Sequence, residues 1–144
     1  MGGAIVRPLA TPDPAGLRPY RNGFGGSGSE GAWVVRVDPS DGAAGVLGDA
    51  PVVVTFSHPV ASHSLGHRTL RVWEGLFPVT GRLTLSPDAC VVIWSPERPM
   101  RAGMQHTVEI AGLRDQRGRE VQRHRSLFTV GHHTLEDLLK GPVD

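Results

Sequence analysis

"VDPSDGAAGVLGDAPVVVTFSHPV", residues 37–60, sets a run of turn-forming residues ahead of a valine-rich segment fenced by Pro51 and Pro59. Within it Val52, Val54 and Phe56 alternate with the polar Thr55 and Ser57 at the C-terminal end, the period of two that a half-buried strand requires. Asp41 and Gly42 suit a turn that reverses the chain, and Gly45 and Gly48 are expected to relax a crossing between two sheets. The flanking prolines keep the strand from extending or taking an edge partner. A slip of one residue would put Val52, Val54 and Phe56 in water, so the loop sets the register.

The same alternation recurs on both sides of this stretch. It appears in "AWVVRV" (Trp33, Val35 and Val37 on one face), "TLRVWE" (Leu70, Val72), "VTGRLTL" (Leu83, Leu85), "CVVIWS" (Val92, Trp94), "MQHTVEI" (Val108, Ile110) and "SLFTV" (Phe128, Val130). Turn signals such as "PSDG", "SPD", "RAG" and "QRG" separate the runs. Seven short strands at this spacing predict an all-β sandwich, two sheets each hiding one face and packing about 10 Å apart. The composition agrees: 19 Gly and 12 Pro with 39% hydrophobic residues suit many strands and turns better than long helices. At 144 residues one core suffices.

The two ends differ from the body. Residues 1–31 mix Pro, Gly and Ser and close on "NGFGGSGSEG", which predicts an extended N-terminal arm. The arm also carries Ile5, Val6, Leu9, Leu17, Tyr20 and Phe24, more apolar side chains than a spacer needs. Two readings follow, a flexible leader or a segment that docks on a neighbouring subunit. The sandwich is expected over 32–131 and a tail over 132–144. In that tail Thr134 can cap a short C-terminal helix, with Asp137 as its capping-box partner, Lys140 at the C-terminal end, and Gly141 and Pro142 stopping it. So short a helix is not stable alone, so Leu135, Leu138 and Leu139 are expected to rest on the sandwich or on another molecule.

The core residues resemble bacterial Ig-like domains of the surface-layer type. There a proline, a short Asp-Gly turn and a strand ending in Phe-Ser-x-Pro recur, as in residues 37–60. Ser95, Pro96, Met100, Gly103, Val108, Ile110, Asp115, Gly118 and Phe128 then follow in the expected order. The likeness covers about residues 33–131. His106 stands where that family usually has tyrosine and Arg119 where asparagine commonly follows the glycine, so a tyrosine corner does not carry over. The resemblance implies a seven-stranded Ig-like β-sandwich serving as a spacer, stalk, adhesive or assembly module, outside the cell or in its envelope. It carries no catalytic residues. Periplasmic copper-resistance carriers open similarly but need an N-terminal histidine and an Asp-Gly-His loop. Here the chain starts Met1, Gly2 and the loop reads "RDQRGRE".

Charge and motifs narrow the function classes. Lys and Arg total 15 against 14 Asp and Glu, which disfavours nucleic acid as partner. The densest basic group, "RDQRGREVQRHR" at 114–125, is diluted by Asp115 and Glu120 and reads as a solvated hairpin. No secretion signal is visible at residues 1–16, no window approaches a membrane span, and the residues after Gly2 do not make a myristoylation signal. That fits a processed fragment or part of a particle assembled in the cytoplasm, whereas the resemblance points outside the cell or to its envelope. Cys90 reads as a small apolar strand residue. "GFGGSG" at 23–28 has neither the preceding strand nor the lysine of a phosphate loop. Enzyme chemistry and cofactors are therefore not expected. His58, His63 and His67 share one predicted loop and are the metal candidates, though no cysteine pair or flanking acid supports them. His106 reads as a core residue. Outward Trp73 is the candidate contact for a carbohydrate or surface adhesin. The leading expectation is a non-catalytic interaction module with protein partners, as a homo-oligomer or in a multi-subunit assembly, gripping through the arm residues and Leu135, Leu138 and Leu139.

Overall fold

The computed structural model describes residues 31–140 of the chain. Among the described residues nine strands form two sheets. They are β1 (Val34–Asp38), β2 (Ala43–Val46), β3 (Val52–Phe56), β4 (Leu70–Glu74), β5 (Phe77–Pro78), β6 (Gly81–Leu85), β7 (Val91–Pro96), β8 (Gln105–Ile110) and β9 (His124–Val130), followed by helix α1 (Leu135–Leu139). One sheet runs β1-β3-β7-β6 and the other β2-β9-β8-β4-β5. All pairings are antiparallel except β2 with β9, which is parallel. The expected sandwich is present, and all seven expected strands with it.

The inward faces follow the alternation in most strands. Val52, Val54, Phe56, Val92 and Trp94 from one sheet meet Leu70, Val72, Val108, Ile110, Phe128 and Val130 from the other. Leu83 and Leu85 pack at the margin of this cluster. Strand β1 departs from the expected pattern. Trp33 and Val35 are exposed, whereas Val34 and Val37 pack on the core. A bulge between Val34 and Arg36 puts an extra residue in the ladder and turns the strand over.

Strands β2 and β5 were not expected. The segment around Gly45 is a short strand along β9, not a plain crossing, with Gly45 at φ +65° where the ladder is irregular. The turn before it is the expected one. Gly42 has φ +85°, its N–H donates to the Leu127 carbonyl at 2.7 Å, and the Leu127 N–H donates to Asp41 Oδ1 at 2.9 Å. The turn therefore hooks the start of β2 onto β9.

The hairpin at 113–121 is more deeply built than its charge suggests. Asp115 is only 2% exposed. Its carboxylate accepts from the N–H groups of Ala32, Arg117 and Arg119 and lies 3.3 Å from the Arg119 guanidinium. The fold also reaches back to Gly31, expected to be the last residue of the arm. Gly31 is buried so close to the Glu120 carbonyl that an added Cβ would overlap it.

Candidate interaction surface

Helix α1 forms as its cap residues direct. Thr134 Oγ1 accepts from the Asp137 N–H at 3.1 Å, and Asp137 Oδ2 accepts from the Thr134 N–H at 2.9 Å. These contacts hold the Asp137 carboxyl below the usual carboxylate range. Asp49, in the loop after β2, adds a second cap by accepting from the Leu135 N–H at 2.6 Å and the Glu136 N–H at 3.3 Å. Polar contacts at its N-terminus thus position the helix. Its leucines stay in water: Leu135, Leu138 and Leu139 are 47%, 57% and 78% exposed. None of the three belongs to the core cluster. Ile5, Val6, Leu9, Leu17, Tyr20 and Phe24 lie outside the described residues.

The loop histidines are all exposed. His58 Nδ1 is 2.8 Å from Ser57 Oγ and the ring meets the Trp33 indole edge-on at 5.4 Å. His63 sits in a 3-10 turn, Ser62–Ser64. Among the described residues no three His, Cys, Asp or Glu side chains are grouped so as to hold a metal ion. His106 is fully buried, stacked on Phe128 with ring centroids 5.5 Å apart. Its Nδ1 is 3.0 Å from the Met104 carbonyl and its Nε2 is 3.7 Å from Glu74 Oε1. Cys90 is half-buried just before β7. Its backbone N–H donates to Asp88 Oδ1 and its carbonyl accepts from Phe56.

A further apolar surface, not among the expected interaction residues, lies on the turn between β4 and β5. Gly75 takes φ +61°, and the turn raises Leu76 and Phe77 to 90% and 74% exposure. The signal was there in "WEGLFP": apolar residues at the tip of a turn, where polar ones are usual. Beside it, Trp73 Nε1–H donates to Glu109 Oε1 at 3.1 Å, and the Arg71 guanidinium lies 5.6 Å from the indole centroid. Trp73, Gly75, Leu76, Thr107, Glu109 and Arg125 border an open depression of about 400 Å³. Trp73 is therefore directed away from the core, as its place in the alternation requires.

No family model and no curated protein matches the chain. Solved structures do. The S-layer protein SbsC matches at 17% identity and TM-score 0.56, over 73% of this chain and 14% of that one. CopC from Methylosinus trichosporium matches at 14% identity and TM-score 0.60, over 72% of this chain and 98% of that one. Both likenesses show the fold alone. An L,D-transpeptidase from Mycobacterium smegmatis matches at 25% identity and TM-score 0.50, over 69% of this chain and 40% of that one. The sandwich is thus shared with bacterial proteins of dissimilar names, and the chain spans well under half of the S-layer protein and of the transpeptidase.

Proposed function

We propose that the chain is a non-catalytic Ig-like module that holds together a bacterial surface structure or a larger particle by binding protein. The observation that carries this reading is a core closed without Leu76, Phe77, Leu135, Leu138 or Leu139. Large apolar side chains left in water on separate, well-formed elements are what an interaction surface presents before it is covered. The S-layer likeness supports a role at the cell surface. The partial match to the transpeptidase supports a module that works beside other parts. The buried ionisable side chains Asp115 and His106, which lie beside Arg119 and Glu74, hold a turn and a strand, which favours scaffolding over catalysis.

Light scattering on the full-length chain, joined to photo-crosslinking from positions 77 and 138 in the producing cells, tests the reading. Covalent adducts to protein are expected from both positions, and Leu135→Ser with Leu139→Ser is expected to abolish those from 138. A strict monomer at every concentration, with no adduct from either position, overturns it.

A further inference from the structure

Register across the five-stranded sheet brings Arg71, Glu109 and Arg125 into one row on β4, β8 and β9. Trp73, Thr107 and Leu127 form the next row. Two cationic side chains thus flank one carboxylate, and that carboxylate already accepts from the Trp73 indole. The indole is held in one orientation by Glu109 and Arg71 before any ligand arrives. These residues point away from Val72, Val108, Ile110 and Phe128, so the core does not require their chemistry.

We propose that this depression is a subsite for one acidic sugar residue of a polysaccharide. The apolar face of a pyranose ring packs against the Trp73 indole. The sugar carboxylate meets Arg125 in a charge-assisted contact, and sugar hydroxyls reach Glu109 and Thr107. The excess of cation over anion in the row selects an acidic sugar over a neutral one. The position also discriminates against a peptide strand. The depression lies over β8, which is paired to β4 on one side and β9 on the other, so no ladder edge is available there for an added strand. A sugar brings its own hydrogen-bonding groups. Binding here goes beyond the assembly reading and does not depend on contacts made through Leu135, Leu138 and Leu139.

The test is a titration of the ¹⁵N-labelled full chain, reading the indole N–H signals of its three tryptophans. Trp73→Phe assigns the Trp73 signal by its loss. A hexasaccharide of alternating uronic acid and N-acetylglucosamine is expected to move that signal, and chitohexaose to bind about tenfold more weakly. Arg125→Gln, an exposed position, is expected to weaken the acidic hexasaccharide about tenfold while leaving chitohexaose unchanged. No movement of the Trp73 signal at about 5 mM acidic hexasaccharide overturns the proposal. So does an equal response to hexaglutamate, which would reduce the site to a charge effect.

Discussion

Asp115 accepts from the N–H groups of Ala32, Arg117 and Arg119 and pairs with the Arg119 guanidinium. Burial alone pushes its carboxyl up, but these donors and the guanidinium outweigh it and hold the group below the usual range. Asp115→Asn replaces one accepting oxygen by an NH₂ that faces other donors. It is expected to cost about 2–4 kcal/mol in urea unfolding. A carboxyl depressed in the folded state adds stability above its unfolded pKa of about 3.9, lost as pH falls from there through the folded value. The acid-unfolding curve of Asp115→Asn should therefore be flatter below about pH 4. His124 acts in a higher window. Burial lowers its pKa, opposed by Asp41. The unfolded chain then takes up the proton first, and stability falls as pH drops below about 6.5. His124→Leu should remove that part of the decline in Tm between about pH 7.5 and 5.5. Gly81 bears on packing instead. A Cβ there would overlap the Trp94 indole, so Gly81→Ala is expected to cost about 2 kcal/mol. A shifted Trp94 near-ultraviolet signal would accompany the loss.

Helix α1 depends on two carboxylates and one hydroxyl. Asp49→Ala or Thr134→Ala should each weaken it by about 1 kcal/mol. The measurement is amide exchange at residues 135–139, with exchange in β7 and β8 unchanged. Thr134 and Asp137 were legible because a capping box is local, whereas Asp49 acts from 86 residues away. The same distinction runs through the strands. Alternation alone revealed the inward faces of β3, β4, β7, β8 and β9, because each hides one side of a pleat. In β1 it pointed Trp33 and Val35 inward, since a bulge leaves no mark on composition. Strand β2 is four residues with a glycine inside it and exists by pairing with β9. Trp73 could be read as outward, yet the depression beside it could not. Glu109 is 36 positions along the chain from Trp73, and only the register of β4 with β8 and of β8 with β9 joins it to Arg125.

The sandwich closes at Gly31 and Ala32. Ala32 is fully buried, its carbonyl accepting from Gln122 and its N–H donating to Asp115. Removing residues 1–30 should leave Tm within about 3 °C, whereas removing 1–32 should lower it by about 8 °C or more. Calorimetry on the two truncations distinguishes them. The hydrogen bonds at Ala32 join distant positions. Ala32 and Asp115 are 83 residues apart, and β2 must wait for Phe128 and Val130 to arrive. During synthesis the four-stranded layer can pair once β7 is out, whereas β2 leaves the ribosome long before β9 exists, so the five-stranded layer cannot be finished until the last strand is out. For that interval unsaturated strand edges face other newly made copies, and crowded production invites exchange of β2 between chains.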